Sequence, residues 1–326
     1  MQNQNNIDNI YSIINRIHSD SFSTVYLVIN QNNQNLYAAK VRKDENQQSF
    51  NHELQMTTIA SGLNNPNLIH LHSHGNGPIS FGGNVQNKNY SILDYHQKGD
   101  LFKYIEIPNQ SFIELHAKYI FDKILRGVQA LHAAGICHRD LKLENILLDQ
   151  NFNPIIIDFV FATNNNVNAL NEVIGTIGSA SPQIINRQVY NGFKADIFSL
   201  GIILFTLVTN RIPFFKASKD DKYYRLIFLR KFNNYWEEFE KYGINPSQLF
   251  KNLFERMVNY NENERPTVDQ ILQDPWFAEI RNLNNNQQAQ LENQILNDFI
   301  ARENQINQRL NQINQLNQEN QDLDDH

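Results

Sequence analysis

The 326-residue chain carries 28 basic and 34 acidic side chains, and its net charge of −6 offers no basic footprint for a nucleic-acid partner. Charged residues at 19% and hydrophobic ones at 41% describe a globular chain long enough for one or two domains with an ample core. A single cysteine, Cys137, excludes an internal disulfide and fits a reducing compartment, so an intracellular, cytoplasmic location is expected.

In chain order, the first ten residues are mostly amides with Ile7 and Ile10 and do not read as a signal peptide. Residues 10–17 and 24–29 read as two short strands rich in Val, Ile and Tyr. After an amide turn at 30–35, residues 36–41 form a strand that sets Lys40 among apolar neighbours. By itself that lysine is either a snorkelling surface side chain or a placed cation. A helix is predicted over 49–60 and a strand over 68–74, with His70, His72 and His74 on one face. Alternating histidines invite a metal reading, but without a nearby cysteine or carboxylate an exposed strand face fits better. The stretch 75–88 is rich in Gly and Asn and reads as a solvated hairpin loop, followed by a strand at 90–95. Residues 111–134 show a helical period, with Ile120, Ile124, Leu125, Val128 and Leu131 on one face and Gly135 as the stop.

Gly135 delivers the chain to His138, Arg139, Asp140, Leu141, Lys142, Leu143, Glu144 and Asn145, then to the apolar run Ile146, Leu147, Leu148. A second apolar run, 154–157, ends in Asp158 and Phe159. One reading is a polar turn before a buried hairpin. The other is phosphoryl transfer, which needs a carboxylate to orient a hydroxyl, a cation beside the moving group and oxygen ligands for Mg²⁺. Asp140, Lys142, Asn145 and Asp158 supply these in that order. Further on, residues 196–208 read as a buried helix, whose run 202–208 is too short to span a bilayer. Helices are predicted up to Pro275, Trp276 and Phe277.

The stretch around Asp140 resembles the catalytic loop of eukaryotic protein kinases. It is similar to the Ser/Thr branch, because Lys142 stands where tyrosine kinases place Ala or Arg. The resemblance covers residues 11–278 and leans towards the calcium/calmodulin-dependent group. It implies an α+β, bilobal fold: a small five-stranded antiparallel lobe with one helix (11–94) and a larger, mainly helical lobe (95–278). Residues 1–10 are then an extension. The tail, 279–326, is amide-rich, with Leu296, Phe299, Ile306, Leu310 and Ile313 at heptad positions. It reads as a weak amphipathic helix or short coiled coil, or as a disordered segment.

Carried over by that resemblance, Ile17, His18, Ser19, Asp20, Ser21, Phe22, Ser23, Thr24 and Val25 form the phosphate-covering hairpin, with Phe22 at its tip and Val25 roofing the adenine pocket. The family's three glycines are replaced by His18, Asp20 and Ser23. Glycine lets backbone N–H groups approach phosphate without a Cβ in the way. A carboxylate about 6 Å from phosphate, at an effective dielectric of about 20–80, adds about 0.7–3 kcal/mol of repulsion. Ala38 would pack on adenine, and Lys40 would hold the α- and β-phosphates, paired with Glu53 or, as a weaker candidate, Glu45. Leu93 would be the gatekeeper, with the backbone of Asp94 and His96 on the adenine edge, Asp100 on the ribose and Leu147 among the nucleotide contacts.

Asp158, Phe159 and Val160 resemble the family's Mg²⁺-binding tripeptide, with Val in place of Gly stiffening it. Asp158 and Asn145 would be the metal ligands, and Asp140 and Lys142 the catalytic pair. The activation segment, 163–177, has no Ser, Thr or Tyr between Asn164 and Ile174. Glu172 there is either an ordinary loop acid or a fixed negative charge for Arg139. Gln183 replaces the family's Glu opposite Arg265.

The expected activity is ATP- and Mg²⁺-dependent phosphorylation of protein Ser or Thr, with Glu144 and Asp100 leaning towards basic substrates. The alternative is a pseudokinase scaffold without efficient turnover, supported by His18, Asp20, Ser23, Val160 and Gln183. Expected partners are protein substrates, with self-association or partner binding through the tail, and neither nucleic acid nor a membrane span.

Overall fold

A computed structural model describes residues 6–44, 46–81, 84–107 and 110–324. The N-terminal lobe is a closed antiparallel barrel built from β1 (Asn6–Ile7), β2 (Tyr11–Ser19), β3 (Ser23–Asn30), β4 (Leu36–Arg42), β5 (Leu71–Phe81) and β6 (Asn84–Asp94), in the order β1-β2-β3-β4-β6-β5. The helix α1 (Gln47–Gly62) connects β4 to β5. Strand alternation sorts the side chains of β4. Ala39 and Val41 join Tyr11, Val28, Tyr90 and Ile92 in the barrel core. Ala38, Lys40 and Arg42, two residues apart, share the other face.

The expected five strands are six. Asn6 and Ile7 pair with Ser12 and Tyr11 on one side and with Ser80 and Ile79 on the other, which closes the barrel. Asp8 and Asn9 turn the chain with positive φ of 52° and 56°, and the Asp8 carboxylate accepts a 2.8 Å bond from the Tyr90 hydroxyl. The stretch 75–88, expected as a solvated loop, is instead mostly ladder, with Gly75 opposite Tyr90 and Phe81 opposite Asn84. Composition misleads here because Gly75 serves a close approach. A Cβ on it would come within 2.6 Å of the Tyr90 hydroxyl oxygen. His70, His72 and His74 are exposed, and no metal-holding cluster of three or more His, Cys, Asp or Glu occurs among the described residues.

The C-terminal lobe comprises α2 (Phe102–Ile105), α3 (Glu114–Ala133), the hairpin β7 (Ile146–Leu148) and β8 (Pro154–Ile156), α4 (Pro182–Ile185), α5 (Gly192–Thr209), α6 (Lys222–Phe228), α7 (Phe232–Glu240), α8 (Gln248–Met257), α9 (Val268–Leu272), α10 (Ala278–Arg281) and α11 (Asn285–Asp324). One core cluster runs from α3 through α5 to α8 and Trp276. The apolar run 202–208 belongs to α5. Its 18 residues match a membrane span by length and composition, and 89% of them are buried inside the lobe. Asn191 caps its start by accepting from the Lys194 N–H, and Asn210, left-handed at φ 54°, ends it.

Most of the tail forms one helix, α11. Leu291, Ile295 and Phe299 of α11 are buried against the lobe, while Leu310, Ile313 and Leu316 are exposed. Phe299 stacks on Phe152 with ring centroids 4.8 Å apart. Arg302, buried beside it, donates to the carbonyls of Tyr104, Gln110 and Ser111.

Candidate active site

The catalytic loop is held from below by a fully buried carboxylate. Asp196 in α5 accepts the backbone N–H groups of His138 and Arg139, each at 2.8 Å, and the His132 ring nitrogen at 2.9 Å. Arg139 follows with φ 66°. His138 then bonds the Ile157 carbonyl at 2.9 Å, which ties the loop to the chain leading into Asp158. With both ends anchored, the loop presents Asp140 in a fixed direction.

Asp140 is buried, and each of its carboxylate oxygens meets a donor. The Thr176 hydroxyl donates to its Oδ1 at 2.8 Å, and the Asn145 amide to its Oδ2 at 3.0 Å. Lys142 Nζ lies 3.2 Å from Oδ2 and donates to the Thr176 hydroxyl oxygen at 2.8 Å. Thr176 therefore clamps the acid and the lysine together. Asn145 also donates to the Asp140 carbonyl at 2.8 Å, which leaves its amide oxygen as the group to meet a cation.

Across the cleft, Lys40 donates to Glu53 Oε1 at 2.5 Å and to Asp158 Oδ1 at 2.8 Å. Burial would push the Lys40 amine down, but the charges of Asp158 and Glu53 outweigh it and hold the amine above its ordinary value. Burial would likewise raise the Asp158 carboxyl, and Lys40 more than offsets that, keeping it below the usual carboxylate range. Asp158 adopts φ 66°, an uncommon conformation for a non-glycine residue and one that tends to gather at functional sites. Glu53 is the partner Lys40 takes, and Glu45 lies outside the described residues. The oxygens of Asn145 and Asp158 are hard donors. Two protein ligands of this kind suit Mg²⁺, which keeps water and substrate phosphates as its other ligands.

The expected nucleotide walls fall on both lobes. Ala38 pairs across the sheet with Leu93, and Lys40 with Val25 and Ser91. Leu147 is half-buried and bridges to Asp100. Asp100 Oδ1 accepts the Lys103 N–H at 2.9 Å, capping the turn that enters α2. The His96 carbonyl accepts from Gly99, so its N–H is the group free to face a ligand. The Asp94 side chain turns away to His72, 2.5 Å distant. In the β2–β3 hairpin, Ile17, His18, Ser19, Asp20, Ser21 and Phe22 are exposed, Ser23 and Thr24 buried and Val25 half-buried.

Three contacts were not anticipated from the sequence. Arg42, buried, donates to Glu53 Oε2 at 3.3 Å while bonding Asp44 at 2.9 Å and Ser49 at 3.2 Å. Its spacing of two from Lys40 on one strand was the available signal. His52 bonds the Ala162 carbonyl at 2.8 Å, tying α1 to the residue that leads into the activation segment. The Thr176 clamp is the third. The activation segment is drawn in as Arg139 pairs with Glu172 and donates to the Phe161 carbonyl at 2.6 Å. The Tyr190 hydroxyl donates to the Glu172 carbonyl at 3.3 Å. Gln183 accepts from Arg265 at 2.7 Å, and burial, outweighing the opposing pull of Tyr224 and Glu262, brings the Arg265 guanidinium down to about 10.

A family model described as protein kinase domain matches residues 11–277. The chain is 30% identical over 220 residues to CBL-interacting serine/threonine-protein kinase 15 of Arabidopsis thaliana, covering 66% of this chain and 48% of that protein. It is 30% identical over 291 residues to the serine/threonine-protein kinase chk1 of Schizosaccharomyces pombe, covering 83% and 54%. Over 283 residues it is 28% identical to the serine/threonine-protein kinase SRK2B of Arabidopsis thaliana, covering 82% and 71%. The chain spans about half the length of the first two of these relatives.

Proposed function

The chain belongs to the protein kinase family, and from that premise we propose that it transfers the γ-phosphoryl group of ATP to Ser or Thr hydroxyls of proteins. The observation that carries this is that Lys40 bridges Glu53 and Asp158 while Thr176 joins Asp140 to Lys142 beside Asn145, with Lys142 near enough for its charge to act on Asp158. Asp140 orients the acceptor hydroxyl and takes its proton as the new oxygen–phosphorus bond forms and the bond to ADP breaks. Lys142 stabilises charge on the group in transit, and Lys40, aimed by Glu53, holds the α- and β-phosphates. Asn145 and Asp158 would hold Mg²⁺, which would supply positive charge to offset that of the phosphates.

The assembled groups support turnover over a purely scaffolding role. Exposed Glu144 and half-buried Asp100 support basic protein substrates. The exposed Leu310, Ile313 and Leu316 support self-association or partner binding through the tail. The buried, unpaired Cys137 is consistent with an intracellular, cytoplasmic location.

The test is transfer of labelled γ-phosphate from ATP to Ser/Thr peptides with basic and acidic flanks. Asp140→Asn should lose about 10²–10⁴-fold in transfer and keep its nucleotide affinity, because Asp140 touches Thr176, Asn145 and Lys142 rather than Lys40. Equal transfer by wild type and variant would refute the assignment.

A further inference from the structure

The tip of the β2–β3 hairpin already holds an anion, and the chain supplies it. Asp20 Oδ1 accepts the backbone N–H groups of Phe22 and Ser23, each at 2.7 Å. The Ser23 hydroxyl lies 3.4 Å from Oδ1 and 3.3 Å from Oδ2. The Asp20 N–H donates to the Ser23 carbonyl at 3.1 Å, closing the turn, while Lys43 Nζ donates to the Asp20 carbonyl. Ser23 is buried, so one end of this arrangement is fixed. Two backbone N–H groups converging on one oxygen form a concave anion site. Burial alone would raise the Asp20 carboxyl, but the Ser23 and Phe22 bonds and the charge of Lys40 outweigh it, and the group stays below the usual carboxylate range. The site is therefore filled by an ionised side chain at neutral pH.

We propose that Asp20 is an internal competitor for the nucleotide's phosphates: it occupies the Phe22 and Ser23 amides, so the hairpin selects against the polyphosphate rather than for it. This rests on the kinase reading. Nucleotide selection then falls to Lys40 and the adenine-facing walls, and the hairpin itself adds little to the affinity for the phosphates. The structure also alters the expectation drawn from composition. The carboxylate does more than repel at a distance, because it consumes the donors that a glycine in its place would leave open.

Two variants separate these effects. Asp20→Asn keeps an oxygen for the tip amides and removes the charge, whereas Asp20→Gly removes both. Binding of adenosine and of Mg·ATP to the full chain is measured by calorimetry, with thermal unfolding as a check on the fold. Adenosine affinity should be unchanged in both variants. Mg·ATP affinity should rise about 3- to 160-fold in Asp20→Asn, from loss of repulsion, and further in Asp20→Gly. An ATP-to-adenosine ratio that neither variant moves, with adenosine still bound, would overturn the proposal alone. Wild type that binds neither adenosine nor ATP would overturn the nucleotide reading and this proposal together.

Discussion

Activity should not depend on phosphorylation of the activation segment, because Glu172 already serves Arg139. No hydroxyl lies between Asn164 and Ile174, so that stretch offers no acceptor. The perturbation is Glu172→Ala. The Arg139 side chain is 6% exposed and that of Glu172 54%, so the pair sits between two regimes. Exposed pairs are worth about 0–1 kcal/mol, and breaking a buried pair costs about 3–5 kcal/mol. Half-exposure of the acid places the loss at about 1–2 kcal/mol, or about 5- to 30-fold in the ordering of the segment. Arg139 keeps its bond to the Phe161 carbonyl, so the catalytic loop should persist and the melting temperature should hardly move. The assay is steady-state peptide phosphorylation by wild type, phosphatase-treated wild type and Glu172→Ala. Phosphatase should change nothing and Glu172→Ala should lower turnover about 5- to 30-fold. Strong inactivation by phosphatase, or full turnover by Glu172→Ala, would refute the reasoning.

Arg42→Met should weaken Mg·ATP binding about 10-fold in wild type, yet change it less than about 2-fold in a Glu53→Gln background, because contacting residues couple by 0.5–3 kcal/mol. Calorimetry on the four proteins of that cycle checks it, and additive losses would show that Arg42 does not act through Glu53. Phe299→Ala should cost about 3–5 kcal/mol of stability, since the ring is fully buried and stacked on Phe152. Ile313→Ala, on the exposed part of the same helix, should stay within about 0.5 kcal/mol. Denaturant melts of both decide whether the first half of α11 is part of the folded lobe.

The catalytic loop was legible in the sequence because its chemistry is local. Asp140, Lys142 and Asn145 sit within six residues, in the order in which the kinase motif carries them. Asp158 and Lys40 could be named by the apolar strands that carry them, and the bilobal fold followed from the same motifs. The period of α3 and its stop at Gly135 were equally readable, since a helix buries one face at a fixed spacing. Partnership across the chain was not readable. Nothing near Asn6 announces that it will pair with both Ser12 and Ser80, and the glycines near 75 suggested a loop until Tyr90 lay over Gly75 and Asp8 over Gly77. The carboxylate of Asp20 was visible as a charge, but its direction, towards its own tip amides, depends on how the hairpin closes. Arg42 became a second hand on Glu53 only when α1 packed against the face of β4. The tail offered heptad residues with no partner in sequence. Tertiary packing supplied one, placing Phe299 among Tyr104, Phe112 and Phe152. Residue type and local spacing determine which chemistry the chain carries, whereas direction, burial and long-range pairing, which set how strongly each group acts, arise only once distant segments are in contact.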